Sequence, residues 1–168
     1  MKKWILILLV LWTFPCHADP IQIQADAFEM DNLKSQVLTS GNVVVKQKDM
    51  VLRSKKARYD QKQQVVYLYD QVTLEKGLFS LTCEEAVADG KAERIQANKN
   101  IRFKYKNFNG ESQKASFFIK DQRIELSENP IVFQGENTLT GGMIVVDLKK
   151  EKVSTIGNAK INIVTDLK

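Results

Sequence analysis

Histidine is almost missing from this chain: the single one is His17, inside an N-terminal stretch that reads as a leader. With His17 removed, catalysis by imidazole has no carrier and a Cys/His metal site lacks its ligands. Cysteine is nearly as scarce. Cys16 lies in the same leader, so Cys83 stands alone in the remainder. An exported domain with one cysteine has no internal disulfide and must be held by its core. Cys83 itself reads as a small buried hydrophobe rather than a reactive thiol. Of the three prolines, Pro15 and Pro20 flank the leader junction and only Pro130 lies deeper in the chain. No P-loop or dinucleotide-binding fingerprint occurs, and no segment after the leader carries a helical apolar period of useful length. Adjacent acids such as Glu84-Glu85 point to opposite faces of a strand and do not make a carboxylate pair. The inventory argues against an enzyme and implies no cofactor.

The leader is expected to end at Ala18. Lys2 and Lys3 form a basic start, Trp4 to Trp12 is an apolar run, and Cys16-His17-Ala18 offers a small-residue cleavage pattern. The run is short of the roughly 20 residues of a membrane-spanning helix. Two alternatives stand beside cleavage: retention as an N-terminal anchor, and a lipoprotein through Cys16, which Phe14 and Pro15 disfavour. Cleavage takes two lysines and no acid, so the formal charge falls from +5 to +3. Export and so small a charge argue against a nucleic-acid partner. Residues 19–168 then form a single domain, with hydrophobic residues at 43% and charged residues at 27% of the whole chain, as suits a folded protein.

What the chain does have is repetition. Corners resembling "GNV" occur at Gly41-Asn42-Val43, Asp70-Gln71-Val72, Lys99-Asn100-Ile101, Asn129-Pro130-Ile131 and Gly157-Asn158-Ala159. Their third residues are 29, 29, 30 and 28 positions apart. Asp31, Asp60, Asp89 and Asp147 each precede the third corner residue by 12 positions; the fourth unit has Phe118 and Ile119 in that region. These aspartates suit structural turns better than a metal array. After every corner, apolar and polar residues alternate, as in a half-buried strand. Five units of about 29 residues, each too thin to fold alone, predict an all-β stack of antiparallel strands: two facing sheets around an apolar interior, with an unpaired strand at each end.

The expected apolar face carries Val43, Val45, Val72, Leu74, Ile101, Phe103, Tyr105, Ile131 and Phe133, with Phe118 in the fourth unit. Its ordinary reading is core packing. Opposite, Arg102, Lys104 and Lys106 read as a charge ladder. They are either a solvated sheet face or an anion contact beside an apolar groove, suited to the phosphate of an amphiphile.

The opening "PIQIQADAFEMDNLKSQVLTSGNVVV" (residues 20–45), with "ARYD" at 57–60 and "GNAKI" at 157–161, resembles the LptA/OstA-like family of lipopolysaccharide-transport proteins. The resemblance extends over essentially all of residues 19–168. It implies a twisted open β-jellyroll in the periplasm of Gram-negative bacteria, holding lipopolysaccharide acyl chains in its interior. It further implies receipt of the lipid from an LptC-like inner-membrane subunit and delivery towards an LptD-like outer-membrane subunit, with subunits joined head to tail through their end strands. On this resemblance the first-strand pair Ile21 and Ile23 contacts lipid, and Phe103 is the next candidate. A retained leader would instead fit a membrane-anchored LptC-like subunit. A structural β-repeat protein that binds no lipid is the third reading.

Overall fold

Alternating apolar and polar residues ask for strands with one buried face, and strands make up most of the described residues. The computed structural model describes residues 21–164; the expected leader, with Cys16 and His17, lies outside them. In chain order the strands are β1 (Gln22–Gln24), β2 (Ala27–Asp31), β3 (Gln36–Gln47), β4 (Met50–Asp60), β5 (Val65–Lys76), β6 (Phe79–Asp89) and β7 (Arg94–Tyr105). They continue with β8 (Phe108–Phe118), β9 (Arg123–Ser127), β10 (Ile131–Gln134), β11 (Asn137–Thr140), β12 (Met143–Asp147), β13 (Lys152–Ile156) and β14 (Lys160–Asn162). Every pairing is antiparallel. The fold is an all-β twisted open jellyroll.

Each long strand bends once, and the bend splits the sheet into two facing halves. In β3, β5 and β7 the ladder slips between Ser40 and Val43, Tyr69 and Val72, and Asn98 and Ile101. The pairs at the bends have positive φ: Gly41-Asn42, Asp70-Gln71, Lys99-Asn100, Glu128-Asn129 and Gly157-Asn158. Two consecutive left-handed residues turn the chain sharply while the strand continues beyond. In the first half the strand order is β1-β3-β4-β5-β6-β7-β8-β10-β11-β14. In the second, β2 pairs with β3 at one edge, while β8, β9, β12 and β13 follow one another at the other.

The corners begin at 41, 70, 99, 128 and 157, so the period is an unbroken 29. The fourth corner is Glu128-Asn129, one residue earlier than the sequence reading placed it. The cause is Pro130. Proline fixes φ near −65° and cannot take a left-handed place, so it is the first residue beyond the bend. A one-residue slip moves every following side chain to the opposite face. Pro130 and Val132 therefore point inward and are buried, and Ile131 and Phe133 do not. Ile131 lies opposite Glu111, and Phe133 opposite Asn109, on the outer face. Phe118 now occupies the fourth unit's aspartate position, 29 residues after Asp89. It also faces outward, with the Arg123 guanidinium 4.5 Å above its ring.

The core is built from rows of like residues 29 apart, as in stacked repeats. Val43, Val72 and Ile101 form one row and Val45, Leu74 and Phe103 the next. Leu52 and Leu81 follow, and from the second half Val66, Ile95 and Ile124, all buried. The row of Leu52 and Leu81 reaches Gly110 in the third unit. There a Cβ would overlap the Phe103 ring, so a large and a small residue share the space of two medium ones. The second half contributes many small residues, Ala57, Ala86, Ala97 and Ala115, which let the halves approach.

Candidate functional site

The interior has two unlike borders. On one side the bends join the halves covalently. On the other, two rows of hairpin turns face each other across a mouth. The second-half turns are capped by the recurring aspartates: the Asp31, Asp60, Asp89 and Asp147 carboxylates accept the backbone N–H of Lys34, Gln63, Ala92 and Lys150, each at 2.9 to 3.0 Å. Those backbone donors hold the Asp31 and Asp147 carboxyls below their ordinary pKa. The aspartates are turn residues, as their spacing implied.

Most of the expected interior residues meet in one place. Val43, Val45, Val72, Leu74, Ile101 and Phe103 belong to a single buried cluster, and Ile21, Ile23 and Tyr105 pack against it partly exposed. Phe118, Ile131 and Phe133 lie outside it, for the reasons given above. The candidate set was drawn from the strands leaving each corner; the same cluster also holds Met50, Leu52, Phe79, Leu81 and Phe108 of the returning strands, and a facing wall of Leu68, Phe117, Leu126 and Ile144. The alternation Phe79-Ser80-Leu81-Thr82-Cys83 carried that signal. Phe79 stacks on Phe117 across the two halves, ring centroids 4.8 Å apart.

Three small hollows follow the mouth. One of ≈ 30 Å³ is lined by Ile21, Met50 and Ile119, a second of ≈ 200 Å³ by Phe79, Phe117 and Leu148, and a third of ≈ 190 Å³ by Val132, Leu139, Val153 and Ile161. Two larger depressions, ≈ 550 and ≈ 520 Å³, lie mainly on outer faces, around Lys56 and Arg58 and around Arg102 and Glu111. Both lie over outward-facing sheet surface that mixes charged and apolar side chains, whereas the mouth hollows reach the apolar interior.

The three cations of the expected ladder separate. Arg102 faces outward and pairs with Glu111 at 3.4 Å. Lys104 lies between Ser80 and Asn109 on neighbouring strands. Lys106 has positive φ and sits in the turn after β7, paired with Glu151 of a turn in the other half. Cys83 is buried and its thiol lies 3.2 Å from the Glu85 carbonyl oxygen as donor. Burial pushes its pKa up to about 12.

The ends differ from the middle. Edge strands β1, β2, β13 and β14 each have one partner among the described residues. Large apolar side chains gather there in the open: Phe28 and Met30 at one end, Ile156, Ile161 and Ile163 at the other.

Comparison with known proteins gives the chain's family. One similar solved structure is LptH of Pseudomonas aeruginosa, the LptA-homologous periplasmic component of its lipopolysaccharide transport device. It has 19% identity and a TM-score of 0.38, with 88% of this chain and 96% of that chain covered. A search of curated proteins found no match. The family model described as "LptA/(LptD N-terminal domain) LPS transport protein" matches residues 22–152. The chain belongs to this family of LptA and the LptD N-terminal domain.

Proposed function

We propose that the protein carries lipopolysaccharide through the periplasm, holding the lipid's acyl chains between its two halves. The observation that carries this reading is the continuous apolar interior, closed by bends on one side and reachable through a mouth on the other. A wall of aliphatic side chains holds acyl chains without specific polar contacts, so the lipid can slide and be handed on. Ile21, Ile23 and Phe103 are the proposed lipid contacts, with Val43, Val45, Val72, Leu74, Ile101 and Tyr105 around them. The chain is a carrier rather than an enzyme.

Its partners are an LptC-like inner-membrane subunit at one end and an LptD-like outer-membrane subunit at the other, with further copies joined head to tail between them. The one-sided edge strands and the exposed apolar residues beside them favour this arrangement, because an unpaired edge recruits another strand. The expected removal of residues 1–18 releases the carrier into the periplasm. N-terminal sequencing of the exported protein tests that step, and a start at Met1 would favour an anchored subunit instead.

Photocrosslinkers at Ile23 and Phe103, in the exported protein, should capture lipopolysaccharide. Lys46, outward on β3, should not. Capture at Lys46 alone would sink the interior model, and absence of lipid from the purified protein by mass spectrometry would favour a structural β-repeat.

A further inference from the structure

Beyond holding acyl chains, the interior has a divided mouth. The ≈ 200 Å³ hollow is lined by Tyr105 and Leu148, and the ≈ 190 Å³ hollow by Glu151. Between them runs a bridge from the end of β7 to the turn after β12. The Tyr105 hydroxyl donates to the Leu148 carbonyl oxygen at 3.0 Å. The next residue, Lys106, pairs with Glu151, and its ammonium also lies 5.5 Å from the Tyr105 ring centroid. Leu148 is buried and its N–H donates to the Gln122 carbonyl at 2.9 Å, so the second-half side of the bridge is fixed. Each hollow alone is smaller than the roughly 300 Å³ at which small-molecule pockets begin; joined, they exceed it.

We propose that Tyr105, Lys106, Leu148 and Glu151 form a latch across the mouth, and that the phosphate of an acylated, phosphorylated amphiphile opens it by replacing the Glu151 carboxylate on Lys106. This rests on the carrier reading and names how its site is reached. Lys106 and Glu151 are both substantially exposed, so the pair is weak enough to be exchanged and is screened by salt. A phosphate oxygen offers the same ammonium a comparable charge-assisted bond. The Glu151 bond raises the pKa of Lys106, so the lysine stays charged over the physiological range. The exchange leaves the phosphate at the rim, with the acyl chains entering the merged hollow beneath.

The experiment measures binding of a phosphorylated acylated glycolipid and of the same glycolipid with its phosphates removed, using the exported protein and its variants. With the phosphorylated lipid, Glu151→Gln should tighten binding severalfold, because Lys106 is freed. Lys106→Gln should weaken it. With the dephosphorylated lipid both variants should tighten binding alike, since each only loosens the latch. Tyr105→Phe, which changes no charge, should tighten binding of both lipids. Equal shifts for Glu151→Gln and Lys106→Gln with the phosphorylated lipid would overturn the latch, as would weaker binding by Glu151→Gln. A wild-type protein that binds neither lipid would overturn the carrier reading itself.

Discussion

The two borders of the interior are built on different principles. Along the bends, every unit is joined through its own backbone and braced by local bonds. Asp26 N–H donates to the Gly41 carbonyl at 2.9 Å, Gln113 to Glu128 at 3.0 Å and Gly142 to Gly157 at 2.6 Å. The three inner corners add an ion pair at one recurring position, Lys56–Asp70, Glu85–Lys99 and Lys114–Glu128, with the sign reversed from each unit to the next. Stacked corners therefore place opposite charges above one another, which favours the native register over a slip by one unit. Along the mouth, the second-half turns bond to one another: Gln61 N–H to the Ser35 carbonyl, Gly90 to Gln64, Ile119 to Glu93 and Leu148 to Gln122. Among the described residues, the Phe79–Phe117 stack and the Tyr105 and Lys106 contacts cross from row to row, each depending on at least one side chain. Side-chain contacts can be exchanged for a ligand and a covalent bend cannot. A carrier of the kind proposed above requires such a difference, one border held and the other open to exchange.

The comparison predicts unequal responses to substitution. Phe117→Ala removes the aromatic contact that ties the halves near the mouth and leaves a cavity at a fully buried site. Stability measured by urea unfolding should fall by about 3–5 kcal/mol, the largest of these effects. A loss under 1 kcal/mol would mean that the mouth contributes little to holding the halves together. On the bend side, Gly41 and Gly157 have nearly the same φ, +73° and +74°. Alanine at either position pays left-handed strain of about 1–2 kcal/mol. Only at Gly41 does a Cβ also collide with a carboxylate, that of Asp26, which accepts the Asn42 side-chain N–H at 2.8 Å. Gly41→Ala should therefore destabilise more than Gly157→Ala, and equal losses would show that Asp26 swings aside freely.

Much of this architecture is legible in the sequence because the bends need unusual backbone. Left-handed pairs favour Gly, Asn and Asp, so Gly41-Asn42 and Gly157-Asn158 show themselves, and the period locates Asp70-Gln71 and Lys99-Asn100 between them. Asn129-Pro130 misled for a physical reason: it has the composition of a turn, but its proline cannot have positive φ. That constraint puts the fourth bend one residue earlier and Ile131 and Phe133 off the inner face. The mouth was harder to read. Tyr105 and Leu148 are 43 residues apart, and Lys106 and Glu151 are 45 apart. Those spacings are about one and a half periods, because the turns of the two rows alternate along the chain half a period apart, so a search for residues one period apart passes over them.

Acid should weaken the mouth's turns by a smaller amount. Asp31 and Asp147 have carboxyl pKa values lowered from 3.8 by backbone N–H donors. A depressed folded-state pKa means that their contribution is full above the unfolded value and is lost as pH falls through the folded one. Asp147→Ala should thus be less stable than wild type at pH 6, with the gap narrowing below pH 3.8 as the wild-type carboxyl protonates. Urea unfolding of both proteins across that range measures the gap, and a gap independent of pH would show that the carboxylate's charge is not what holds the turn.

The smallest effect is expected at Cys83, on the bend side. Its position recurs 29 residues before and after as Ser54 and Ser112. Their hydroxyls donate to the Lys56 and Lys114 carbonyls at 2.9 and 3.0 Å, just as the Cys83 thiol is placed to donate to Glu85. Cys83 thus does a serine's work: it satisfies the carbonyl exposed where the returning strand bends. Cys83→Ser should change stability by less than about 1 kcal/mol. With its pKa at about 12 and the bend closed over it, the native thiol should resist alkylation at pH 8 and react only after unfolding in urea. If it reacted rapidly in the native protein, the bend side would open as readily as the mouth, and the contrast between the two borders would fail.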